Sequence, residues 1–109
     1  MIARAPAIVG LVLIAAFLTR ADAANQTMTH VIVIQGVQFT PDVLTVRRGD
    51  WVQWINKDPF PHTATAKGVF DSHSIPSGGT WKYRVRSAGD IEYVCTFHPN
   101  MVAKLHIED

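Results

Sequence analysis

The chain has 109 residues, room for one domain but not comfortably for two. Ten Lys and Arg against nine Asp and Glu give a formal charge of +1. So balanced a chain has no bulk electrostatic reason to bind nucleic acid or an anionic membrane, and neither is expected as a partner.

The first element in chain order is a leader. Arg4 supplies a positive charge, residues 8–18 (IVGLVLIAAFL) form an unbroken apolar run of 11, and Ala21-Asp22-Ala23 places small residues where a signal peptidase reads. Eleven apolar residues fall short of the roughly 20 that a membrane-spanning helix needs. The pattern predicts a signal peptide over 1–23, with cleavage after Ala23 or the adjacent Ala24, and a mature domain over 24–109. Removal takes Arg4, Arg20 and Asp22 away and leaves a formally neutral domain of 86 residues, expected to be free of the membrane. A single core becomes marginal near that size. Small exported domains often add disulfides, yet Cys95 is the only cysteine. A good core or a bound metal must supply the difference. A lone thiol sent to an oxidising compartment is also a liability unless it is occupied, a first hint that Cys95 is a ligand.

After a polar lead-in at 24–29, the chain reads as short strands separated by turn residues. HVIVIQ from His30 is rich in β-branched residues, FTPDVLTV follows, and Arg47-Arg48-Gly49-Asp50 reads as a strand-to-strand turn built on glycine. In WVQWIN, Val52, Trp54 and Asn56 share a face; in WKYRVR, Trp81, Tyr83 and Val85 do; in DIEYVCT, Ile91, Tyr93 and Cys95 do. KLHIED closes the chain with Leu105 and Ile107 inward. Alternation with period two gives each strand one buried and one wet face. No mature segment carries a sustained helical period. The predicted fold is therefore all-β, a sandwich with antiparallel pairing. Residues 56–62 (NKDPFPH), stiffened by Pro59 and Pro61, and 66–80, expected as an exposed loop, lack alternation.

The chemistry concentrates in CTFHPNM, residues 95–101, which sets a thiol, an imidazole and a thioether at i, i+3 and i+6. A helix would also align that spacing, but Pro99 and the preceding alternation argue for a strand ending at Cys95. A tight loop would then fold His98 and Met101 back, returning to a strand near Ala103. A fourth donor must come from elsewhere, and His62, behind the stiff DPFP segment, is the best candidate. Thiolate, two imidazoles and a weak axial thioether suit copper in both oxidation states. Zinc accepts Cys and His, but a thioether is not among its usual donors. Four protein donors without a carboxylate leave no open position for substrate, so electron transfer is favoured over catalysis and no enzyme is expected. His30, His73 and His106 read as surface residues, and Trp51, Trp54 and Trp81 as packing residues.

These residues resemble the type 1 blue copper proteins, the cupredoxins, over roughly residues 30–108. Within that family they look most like amicyanin, with plastocyanin and pseudoazurin as relatives. The resemblance rests on GDWVQWIN followed by Pro61-His62, on Ala88-Gly89-Asp90 leading into IEYVCTFHPNM, on Tyr93 and Pro99, and on the two-residue gap between His98 and Met101. It implies a Greek-key β-sandwich holding one type 1 copper ion at one end. His62, Cys95 and His98 would be equatorial ligands and Met101 axial. It also implies a periplasmic, monomeric electron carrier whose partners are redox proteins such as a c-type cytochrome and a periplasmic dehydrogenase. A copper-binding or delivery protein with no electron-transfer partner is the alternative. Two residues depart from the pattern. Thr63 stands where the family usually has Asn tying the two ligand loops together, and Phe97 stands where amicyanin has Pro.

Overall fold

The computed structural model describes residues 3–7, 9–12 and 26–109. The proposed cleavage site at Ala23 or Ala24 lies outside the described residues. Nine strands carry the domain, and no helix occurs among the described residues: β1 (Thr29–Ile34), β2 (Phe39–Thr40), β3 (Val43–Arg47), β4 (Trp51–Asn56), β5 (Thr65–Ala66), β6 (Phe70–Asp71), β7 (Thr80–Arg84), β8 (Gly89–Cys95) and β9 (His98–Glu108).

They form two sheets, ordered β2-β1-β4-β7 and β3-β9-β8-β5-β6. The all-β sandwich is as expected, but the pairing is mixed. β1 runs parallel to β4 and β3 parallel to β9, while the other ladders are antiparallel. Local alternation specifies which face of a strand is buried and says nothing of its neighbour's direction.

The alternation itself is kept. Val52, Trp54 and Asn56 point inward from β4, Tyr93 and Cys95 from β8, and Leu105 and Ile107 from β9. Trp54, fully buried, is the aromatic centre of the core. Its ring lies edge-on to Tyr93 at 5.5 Å and packs on Phe70 at 5.5 Å and Trp81 at 5.4 Å. Aromatic burial of this extent is the good core that so small a domain without disulfides needs. Trp51 is different: it points outward from β4, with Lys82 and Arg84 each 5.8 Å from its ring.

Residues 66–80 depart from the expected exposed loop. They contain β6, and Ile75 is 2% exposed and bridges to His62 through both backbone groups, at 3.1 and 2.7 Å. Ile75 follows no alternating run, so nothing local marks it as core. The last strand also starts earlier than Ala103. Cys95 pairs directly with His98 across a two-residue turn, and an irregularity between Val94 and Cys95 absorbs the register change.

β1 and β4, being parallel, deliver the Gly36-Val37 turn and the 57–61 segment to one end of the sandwich. β8 brings Cys95 to that end and β9 leaves from it. At the opposite end Asp50, 4% exposed, accepts hydrogen bonds from Met28 N, Arg47 N and His30 Nε2 at 3.1, 3.0 and 2.9 Å. His30 is thus a partly buried tether between β1 and the turn before β4, not a surface residue. His73 and His106 are exposed as expected.

Candidate metal centre

Three of the four predicted ligands meet. The candidate donor atoms of His62, Cys95 and His98 all lie within 4.8 Å of one another. Cys95 Sγ is 3.6 Å from His62 Nδ1 and 3.7 Å from His98 Nδ1. Bonds of about 2.3 Å to sulfur and 2.0 Å to nitrogen, meeting at about 120°, put the two atoms roughly 3.7 Å apart. The spacing therefore fits one trigonal metal ion between thiolate and imidazoles, and the donor set is that of copper. Met101, 4% exposed, projects inward from β9 three residues beyond His98. Its position in a strand follows from β9 starting at His98.

Each donor is placed by backbone. Cys95 is the last residue of β8 and is fully buried, and its partner His98 opens β9. His62, also fully buried, is held on Ile75. The two histidine rings lie 5.0 Å apart, and Phe60 packs 5.2 Å from His62 and 5.8 Å from His98. His98 is the partly exposed member of the trio. Phe60, Pro61, Phe97 and Pro99 are exposed around it, Phe97 by 52%.

Two residues to which the sequence assigned no role at the site orient His62. Asn56 is fully buried; its amide donates to the carbonyls of Phe60 at 2.9 Å and Ile75 at 3.0 Å, and its oxygen accepts from Asp58 N at 3.0 Å. It ties the 57–61 segment to Ile75, which backs His62. Asp58 Oδ2 is 2.7 Å from His62 Nε2 and accepts from Val37 N at 2.9 Å, while Oδ1 accepts from Gly36 N at 2.7 Å. A carboxylate can only accept, so His62 carries its proton on Nε2 and turns the lone pair of Nδ1 toward the sulfur. Burial by itself would raise the Asp58 carboxyl, but the hydrogen bonds from Val37, His62 and Gly36 outweigh it and hold it below the usual carboxylate range. Val37, with φ +57°, is a β-branched residue in the left-handed region, and the Asp58 bond to its N–H helps hold it there. An acid four residues before a candidate histidine was the available clue. The two turn amides, 22 and 21 residues away, left none.

Thr63 N donates to Cys95 Sγ at 3.3 Å, and Thr63 Oγ1 accepts from Thr96 N at 2.9 Å. The hydroxyl thus joins the two ligand-bearing segments.

A family model described as a cupredoxin-like domain matches residues 7–107. The chain is 27% identical to the chloroplastic plastocyanin of Chlamydomonas reinhardtii, across 96% of this chain and 82% of that one. It is 27% identical to the amicyanin of Paracoccus versutus, across 72% of this chain and 64% of that one. Among solved structures, a Cu(I) form of an amicyanin variant superposes with a TM-score of 0.68 at 27% identity, over 73% of this chain and 82% of that one. A copper-containing nitrite reductase from Thermus scotoductus superposes with a TM-score of 0.69 at 22% identity over 22% of its own length, a likeness of fold alone. With the domain model matching nearly the whole of this chain, and a Cys-His-His cluster at the end of a two-sheet sandwich, the chain belongs to the cupredoxin family.

Proposed function

We propose that this protein is an exported carrier of single electrons, holding one type 1 copper ion through His62, Cys95, His98 and Met101. The observation that carries the reading is the trigonal spacing of Cys95 Sγ from the two Nδ1 atoms, 3.6 and 3.7 Å. Copper bound there takes up and releases one electron between Cu(II) and Cu(I), and the chain does the rest. Cys95 supplies a thiolate that favours Cu(I), and the imidazoles of His62 and His98 tolerate Cu(II). Asp58 keeps Nδ1 of His62 unprotonated, and the buried Met101 would supply a thioether donor. Two fully buried donors leave no path for substrate or water on their side. His98 alone reaches the surface, so its ring edge is the route for electrons. The apolar rim of Phe60, Pro61, Phe97 and Pro99 suits brief docking with small buried area.

Residues 1–23 act as a cleaved leader, and 24–109 form the monomeric cupredoxin domain in the periplasm. Its partners there are redox proteins, a c-type cytochrome and a periplasmic dehydrogenase among them. Adding Cu(II) to the purified domain should give an intense blue colour that bleaches on reduction. Cys95→Ser should abolish it; a variant that stays blue sinks the assignment. Fast electron self-exchange separates a carrier from a delivery protein, which should instead surrender its copper readily to a chelator.

A further inference from the structure

We propose that Thr63 is a positioning residue for the copper site, acting through a ladder of hydroxyls that runs from Thr96 through Thr63 and Thr65 to the half-exposed carboxylate of Asp71. The inference rests on the copper reading above and concerns how the two ligand-bearing segments are held against each other.

Thr63 is 3% exposed, so its hydroxyl must find its partners within the protein. A hydroxyl has one hydrogen and two lone pairs. Thr63 Oγ1 accepts from Thr96 N at 2.9 Å and from Thr65 Oγ1 at 3.0 Å. Its remaining contact, Thr96 Oγ1 at 3.1 Å, therefore takes its own hydrogen. All three capacities are used, and they reach both sides of the site. Thr96 follows Cys95 directly, whereas Thr65 lies on the His62 side.

The ladder continues outward. Thr65 Oγ1 is also 3.1 Å from Asp71 Oδ1, so its single hydrogen is shared between Thr63 and a group that can only accept. Asp71 Oδ1 also accepts His73 N at 2.8 Å. Beside it, Ser72 Oγ accepts Ala64 N at 2.7 Å, and Ser72 N donates to Ala64 O at 3.0 Å. Residues 63–65 are thus pinned to the β6 side by side chains and to the Cys95 side by one hydroxyl.

This matters for the metal because Thr63 holds the Cys95 segment twice. Its amide points at Sγ from 3.3 Å and its hydroxyl at the next residue's amide. With the hydroxyl gone, the segments can slip against each other about the remaining N–H···S contact. That motion changes the donor spacing and the hydrogen bonding of the sulfur, two quantities that set affinity and potential. Asp71, whose side chain is 47% exposed, then acts on the copper site from the sandwich edge.

The test compares Thr63→Val, Thr63→Ser, Thr65→Val and Asp71→Ala in the full domain. It reads the Cu(II) absorption and EPR spectra, the reduction potential, copper release to a chelator and, in the metal-free protein, hydrogen exchange of the Thr96 amide. Thr63→Val should release copper at least about tenfold faster and change the spectra, as outer-shell changes do. Its Thr96 amide should exchange roughly tenfold faster. Thr63→Ser should restore each readout to within about twofold of the parent, and Asp71→Ala should move each the same way by less. If Thr63→Val leaves release and exchange unchanged, if serine fails to rescue, or if Asp71→Ala moves nothing, the ladder is wrong. Should the valine variant not fold, Thr63→Ser, Thr65→Val and Asp71→Ala decide through Thr96 exchange. A parent domain that takes up no copper overturns the electron-carrier reading, and Thr96 exchange in the metal-free variants still decides the ladder.

Discussion

Replacing Asp58 by asparagine changes one atom and should disturb both the fold and the metal site. The carboxylate accepts three hydrogen bonds, from Gly36 N and Val37 N and from His62 Nε2, at 2.7, 2.9 and 2.7 Å. An asparagine can place its oxygen where Oδ2 now serves Val37 and His62, which sets its NH2 against the N–H of Gly36. The opposite rotamer leaves Val37 and His62 facing a donor, which is worse. In the better case the part-buried N–H of Gly36 is orphaned, at about 1–2 kcal/mol, and two bonds lose their charge assistance, at about 0.5–1 kcal/mol each. The expected loss is about 2–4 kcal/mol. For a domain of this size that is a fall in Tm of roughly 10–25 °C. The strained Val37 turn loses part of its clamp as well. Asp58→Ala removes every acceptor and frees His62 to carry its proton on Nδ1, the atom that must bind metal. Its copper affinity should drop about 10–100-fold. Thermal and urea denaturation of the metal-free variants measure the first effect, and competition with a chelator the second. An Asp58→Asn protein that melts within about 2 °C of the parent, or an Asp58→Ala protein with unchanged affinity, would show that Asp58 does not hold His62.

Three further outcomes are expected. Burial alone would raise the Asp50 carboxyl, but hydrogen bonds from His30, Met28 and Arg47 hold it below its ordinary value. A lowered folded pKa gives stability that is complete above an unfolded aspartate's pKa of about 3.9 and is lost as pH falls through the folded value. The unfolding free energy of Asp50→Asn, measured by urea titration, should therefore fall less steeply than the parent's below about pH 4, by up to about 1.4 kcal/mol per pH unit. Copper should raise the unfolding free energy by about 4 kcal/mol at a free concentration 1,000 times its Kd, seen as a Tm shift that a chelator reverses; an unmoved Tm would contradict a native metal site. Phe97→Ala should change stability by no more than about 0.5 kcal/mol. Electron self-exchange, measured by NMR line broadening, should nevertheless slow, because Phe97 is 52% exposed on the rim around His98. An unaltered rate would remove that rim from the docking surface.

Much of this protein is legible along the chain because its signals are local. Period-two alternation marks Val52, Trp54, Tyr93, Leu105 and Ile107 as inward, and their burial agrees. Cys95, His98 and Met101 fall within seven residues, so a single turn suffices to gather them, and their chemistry already selects copper. Residues buried without a periodic neighbourhood stay hidden. Ile75 is core only because it pairs with His62, and His30 is tethered only because Asp50 folds back on it.

Residue types and short spacing thus establish a β-sandwich and the thiolate half of a copper site. Which strands run parallel, and the position of His62 against a cysteine 33 residues away, arise only when the sheets assemble. The same holds for the atoms that orient the donors: Asp58 against the Gly36-Val37 turn, and Thr63 between Thr96 and Thr65. Side-chain hydrogen bonds work over about 3 Å, a distance that folding creates between segments with no periodic relation in the chain.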